Sequence, residues 1–163
     1  MKFDRESMLL YAVTDRTWLN GRTLPELVEQ AILGGTTFVQ LREKNVTDTE
    51  FLSIAEQVKK VTDQYHVPFI INDNIEVALK ADADGVHVGQ KDMEAGNVRE
   101  LIGKDKILGV SAQTVEQALA AERSGRIFNR NKTGRTECRY FGIKGNMQSS
   151  FYSGCRHRRN QRI

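Results

Sequence analysis

Long apolar runs are absent from this chain of 163 residues. None approaches the ~20 residues that a membrane-spanning helix needs. The N-terminus, MKFDRESMLLYAV, also lacks the layout of a secretory signal. Cysteine is scarce: Cys138 and Cys155 alone cannot form a disulfide framework, so a reducing cytoplasm is the expected compartment. What is present, 39% hydrophobic and 28% charged residues, suits one soluble globular domain with a sizeable core. Secreted, membrane and disordered classes are not expected.

Acidic residues are nearly missing from one stretch. Residues 126–163 hold ten Lys and Arg against a single acid, Glu137, whereas residues 1–125 hold 14 Lys and Arg against 20 Asp and Glu. The net charge of +3 hides this split. Both cysteines fall in the basic stretch, and helical and strand periodicity fade there. The chain is expected to divide into a structured part, 1–125, and an irregular, disordered basic tail, 126–163.

The first part alternates two kinds of segment. A short apolar run over 9–14 reads as a strand. Leu24, Leu27, Val28, Ala31 and Ile32 then share one helical face, with Pro25 in the first turn and Gly34-Gly35 closing the helix. A second strand is expected over 37–41. The helix after it, over 47–65, opens with a Thr47–Glu50 capping box and carries a Phe51, Ile54, Ala55, Val58 and Val61 stripe. A third strand (67–71) precedes a short helix (75–80), a fourth (85–88) precedes a helix near 97–102, and a fifth (106–110) precedes an Ala-rich helix (114–124). The strands read as continuous apolar runs, the pattern of a parallel sheet covered by helices. This is α/β. Five strand–helix units fall short of the ~200 residues an eight-unit barrel needs, so the sheet is either open or an incomplete barrel.

Each expected strand ends in groups suited to a charged ligand. Gln40, Arg42, Glu43 and Lys44 follow the second; Asn72, Asp73 and Asn74 the third; Gly89, Gln90 and Asp92 the fourth; Ser111 and Gln113 the fifth. Parallel α/β folds bind ligands at the carboxyl ends of their strands. In an extended segment Arg42 and Lys44 point the same way across Glu43, and two such cations suit a phosphate or diphosphate. Asp73 and Asp92 supply two carboxylates, and magnesium takes one or two of these beside water and substrate phosphates. Together they describe a magnesium–diphosphate site. Plainer roles exist for each piece: a solvated turn at 42–44, helix caps at 72–74 and Ser111, a turn at Asp92, a hydrogen-bonded core position for His87. Four successive strand ends with complementary chemistry favour the site.

YAVTD, FVQLREK, FIINDN, ADGVHVGQKD and ILGVSAQT stand in an order and spacing that resembles thiamine phosphate synthases, over roughly residues 8–125. The resemblance implies a TIM (β/α)8-type barrel, here incomplete at about five units and followed by the basic tail. It implies a transferase that condenses 4-amino-2-methyl-5-(diphosphooxymethyl)pyrimidine with a thiazole phosphate, releasing diphosphate and forming thiamine phosphate. On that basis Gln40, Arg42, Glu43, Lys44, Asn72 and Ser111 bind substrate, and Asp73 and Asp92 hold Mg2+. Arg42 and Lys44 are the catalytic residues, stabilising charge on the leaving diphosphate. The diphosphate leaves before the thiazole nitrogen attacks, so no side-chain nucleophile is needed. The chain accordingly shows no Ser–His–Asp or Cys–His constellation.

After Gly125 the family continues with a sixth strand, a T-x-T-K segment and glycines that hold the thiazole phosphate, none of which this sequence shows. Codons permitted for Lys144 to Asn160, reread one base later, give REICKAVSIPVVAIGG. That peptide is a helix end, an apolar strand and a Gly-Gly turn, and it resembles the family's seventh strand and phosphate loop. The same frame turns residues 129–132 into T-x-T-K. A deletion near Gly125 that removed most of the sixth strand and shifted the frame is therefore expected. A nucleic-acid arm, its cations interleaved with Phe128, Tyr140, Phe141, Phe151 and Tyr152, is the lesser reading of the tail. Two functions stand beside the synthase: a thiazole tautomerase-like relative, which has no need of both Asp73 and Asp92, and a non-enzymatic truncated product. Expected partners are small-molecule substrates and no membrane, with self-association through open edges at the first and fifth strands.

Overall fold

Two capping boxes decide where the long helices begin. Thr23 accepts from the Glu26 amide while Glu26 accepts from the Thr23 amide at 2.7 Å, opening α1 (Leu24–Leu33). Thr47 and Glu50 repeat the exchange, at 2.9 Å, to open α2 (Asp48–Gln64). This computed structural model describes residues 6–89, 98–112, 114–117 and 127–129. Two shorter helices follow within them, α3 (Ile75–Lys80) and α4 (Val98–Ile102). Residues 115–117 begin a further helix.

The strands are β1 (Tyr11–Val13), β2 (Phe38–Leu41), β3 (Phe69–Asn72), β4 (Gly85–Val88), β5 (Ile107–Ser111) and β6 (Ile127–Asn129). They form one parallel sheet in chain order, β1-β2-β3-β4-β5-β6. A doubly wound sheet reverses its strand order at a switch point, whereas a β/α barrel never does. The unbroken order makes this an incomplete barrel and sets aside the open sheet.

The two faces of the sheet differ. Val39, Leu41, Phe69, Ile71, Val86, Val88, Leu108 and Val110 pack with α1–α4 into one core. The alternate positions, among them Phe38, Gln40, Ile70, Asn72, His87 and Ser111, turn to the inner face. Continuous apolar runs therefore describe only part of what was expected: the inner face becomes polar toward its carboxyl end.

The sixth strand also departs from expectation. Ile127 pairs with Gly109 and Asn129 with Ser111, so the backbone groups along β5 are met rather than left open. Among the described residues the sheet edges are β1 and β6, not β5. Gln90, Asp92, Gln113, most of the 114–124 helix and the tail from residue 130 lie outside the described residues. Among the described residues no helix is long and apolar enough to cross a membrane.

Candidate active site

Register collects the polar inner-face residues at one end of the sheet. Gln40 on β2 and Asn72 on β3 approach one another, and Asn72 lies opposite His87, which lies opposite Gly109. A directional chain of hydrogen bonds results. The Tyr11 hydroxyl donates to Gln40 Oε1, Gln40 Nε2 donates to Asn72 Oδ1 at 2.5 Å, and Asn72 Nδ2 donates to Asp73 Oδ2 at 2.6 Å. Burial raises the Tyr11 phenol well above its ordinary value, so the hydroxyl keeps its proton. Each amide is thereby fixed in orientation by the donor before it.

A second pair lies beside this chain. His87 Nε2 and Ser111 Oγ are 3.0 Å apart and buried. Gly109 makes the room: a Cβ there would sit 2.4 Å from His87 Nδ1. Burial pushes the His87 imidazole down to about 4, leaving it neutral at neutral pH. The expected hydrogen-bonded core histidine is what the structure shows.

The segment after β2 is held from below. Thr14 Oγ accepts from the Arg42 amide at 2.9 Å and donates to the Arg42 carbonyl at 3.3 Å. Arg16 Nε donates to Glu43 Oε2, and the Glu43 side chain is fully buried. Glu43 Oε1 is buried with no hydrogen-bond partner among the described residues. Asp15 accepts from the Thr17 hydroxyl and amide, bonds that hold its carboxyl below the usual range, and the nearby Arg42 charge acts in the same direction.

At the end of β3 the capping role and the site role divide. Asn74 is a cap, accepting from the Val77 amide at 2.9 Å to start α3. Asn72 and Asp73 belong instead to the bonded chain. Asp73 sits in the left-handed region, φ 62°, with its amide donating to the His87 carbonyl at 2.7 Å. Asn20, Asn45, His66 and Asp82 share this region, which Asn, Asp and His enter more readily than other side chains.

Lys44, Glu43, Asp48, Asn72, Asp73 and Asn74 line a cleft of about 460 Å³ at this end. A cleft of about 370 Å³ lies at the opposite end, but its cations are engaged: Lys106 donates to Asp82 at 2.9 Å and to the Ala83 carbonyl at 2.7 Å, and Lys59 pairs with Asp63. Among the described residues no three of His, Cys, Asp and Glu converge on a metal position. Of the expected residues, Gln40, Asn72 and Asp73 form one chain and Ser111 bonds His87. Glu43 and Lys44 line the cleft and Arg42 does not, so the expected alternation across Glu43 is not kept once β2 has ended at Leu41. Asp92 lies outside the described residues. Tyr11, Thr14, Arg16 and Gly109 were not anticipated. Only Gly109 carried a signal, since a glycine inside a strand often marks a close approach.

The family model described as thiamine monophosphate synthase matches residues 10–128. The chain belongs to that family. It is similar to the thiamine-phosphate synthase of Clostridium tetani, 59% identical over 116 residues, and to that of Clostridium botulinum strain 657, at 54%. These matches take in 71% of this chain and 56% and 57% of the relatives, so it spans a little over half their length. A solved thiamine phosphate pyrophosphorylase from Pyrococcus furiosus superposes with a TM-score of 0.72 at 34% identity. That superposition covers 85% of this chain and 67% of the solved one.

Proposed function

We propose that the chain carries the diphosphate-binding half of a thiamine phosphate synthase site. The enzyme is a transferase joining a pyrimidine methyl diphosphate to a thiazole phosphate with release of diphosphate. The observation that carries this reading is the bonded chain from Tyr11 through Gln40 and Asn72 to Asp73, ending in the cleft that Lys44 lines. Gln40 and Asn72, locked in orientation, hold the pyrimidine diphosphate. Arg42 offers the diphosphate a planar fork and Lys44 a point charge. Negative charge that grows on the departing diphosphate falls between these two cations. The Ser111 hydroxyl, steadied by His87, supplies a further contact. Departure of the diphosphate and attack by a neutral thiazole nitrogen need no side-chain base, which accords with a neutral, buried His87.

Asp73, a carboxylate in the cleft beside Lys44, suits magnesium, which needs one or two carboxylates when substrate phosphates complete its shell. Asp92 is the second expected ligand. When bound, the ion adds charge neutralisation of the leaving group. Phosphorylated substrates of this kind support a cytoplasmic location. The β1 edge, with Leu9, Leu10 and Val13 exposed, supports self-association.

Calorimetric titration with the pyrimidine diphosphate tests the reading. The expected result is saturable one-to-one binding that requires Mg2+ and is displaced by inorganic pyrophosphate. A flat isotherm in the presence of Mg2+ overturns it.

A further inference from the structure

We propose that Thr14 and Arg16, in the loop after β1, are positioning residues that fix the Arg42–Lys44 segment for its anion before the anion arrives. The inference rests on the reading of Arg42 and Lys44 as the diphosphate cations. Glu43 stands between Arg42 and Lys44 just past the end of β2, so anchoring it restricts both of its neighbours. Glu43 goes inward, its side chain fully buried. A buried carboxylate is held in place only by a partner, and the partner here is the Arg16 guanidinium, itself 47% exposed. Glu43 is the peg and Arg16 the latch.

Thr14 secures the adjoining residue. Its one hydroxyl bonds both the amide and the carbonyl of Arg42, at 2.9 and 3.3 Å, where β1 has ended and no strand pairing remains to do so. Asp15 braces the loop that carries both groups, accepting from the Thr17 amide at 2.9 Å and capping the short helical turn Arg16–Trp18. Two consecutive residues, 42 and 43, are thus gripped from one braced loop. Thr14 and Arg16 are tied to residues 42 and 43, and Lys44, the next residue, lines the cleft, so both act through this segment rather than on the ligand. The benefit is preorganisation: the ordering cost of the cationic segment is met by folding instead of binding.

The test uses Arg16→Ala, Arg16→Lys and Thr14→Val in the full chain. Affinity for inorganic pyrophosphate with Mg2+ is measured by calorimetry, and amide hydrogen exchange over residues 42–44 is measured without ligand. Arg16→Ala and Thr14→Val each weaken pyrophosphate binding roughly tenfold, on the scale expected for displaced binding groups. Both also speed exchange at the Arg42 amide, leave exchange in β3 and β4 unchanged, and Arg16→Lys regains most of the affinity. A dissociation constant within twofold of the wild type overturns the proposal, even if exchange quickens. Should wild type itself fail to bind pyrophosphate, the diphosphate reading falls separately, and exchange alone decides the clamp: faster exchange sustains it and unchanged exchange removes it. If Arg16→Ala does not fold, Thr14→Val and Arg16→Lys decide the matter by the same two measurements.

Discussion

Tyr11→Phe removes one oxygen and leaves almost everything else in place. The ring stays edge-on to Phe38, with centroids 4.8 Å apart and planes at 89°, so apolar burial and aromatic contact are retained. What goes is the hydroxyl donated to Gln40 Oε1. Gln40 is 3% exposed, so water cannot replace that donor. A buried acceptor stranded in this way costs about 1–3 kcal/mol. In urea unfolding, with a slope of about 2 kcal/mol per molar, the midpoint falls by roughly 0.5–1.5 M. The same substitution in a Gln40→Met background costs little, because the acceptor is already gone, and the cycle isolates a coupling of about 1 kcal/mol or more. Burial keeps the Tyr11 phenol protonated, so the loss is the same at pH 6 and pH 8. A destabilisation below about 0.5 kcal/mol, or equal losses with and without Gln40, would show that the hydroxyl does not anchor the chain.

Three further outcomes are expected. The unfolded chain protonates His87 near its ordinary value of 6.5, while the folded chain keeps it neutral down to about 4. Protonation in that window favours the unfolded state, so stability falls as pH drops from 6.5 to 4, by roughly 3 kcal/mol in total; a His87→Gln variant whose stability falls just as steeply would refute this. Gly109→Ala drives a methyl group to 2.4 Å from His87 Nδ1, displaces the ring from Ser111 and costs about 1–3 kcal/mol in thermal unfolding, and an unchanged melting temperature would contradict it. Resequencing the gene from the codon of Ser111 onward is expected to give codons that, read one base later past a deletion near Gly125, encode T-x-T-K at residues 129–132 and the Gly-Gly turn after Lys144; codons that give neither would refute the shifted frame.

Local signals read well from the sequence. Leu24–Leu33 and Ile75–Lys80 form helices over the expected residues, and Gly85–Val88 the expected strand, because caps, turn glycines and apolar spacing all act within a few residues. The Thr47–Glu50 capping box belongs to the same class, whereas the Thr23–Glu26 box was not read. The site was legible as an inventory and not as an arrangement. Tyr11 and Gln40 are 29 residues apart, Gln40 and Asn72 are 32 apart, and Arg16 and Glu43 are 27 apart, so no periodicity reveals that they bond. Asn72 shows the same limit: it ends β3 in register with His87, an extension set by the neighbouring strand rather than by the residues around it. The sixth strand was missed because three residues carry little pattern by themselves, and β5 recruits them through backbone pairing.

The central claim is that the carboxyl ends of β2 and β3 hold a diphosphate. The most direct measurement is a crystal of the chain soaked with pyrophosphate and Mn2+, the manganese standing in for magnesium and located by its anomalous signal. The account predicts a manganese peak on the Asp73 carboxylate, with the diphosphate lying against Arg42 and Lys44. A diphosphate lodged instead at the opposite end of the sheet, against Lys59 and Lys106, would contradict it.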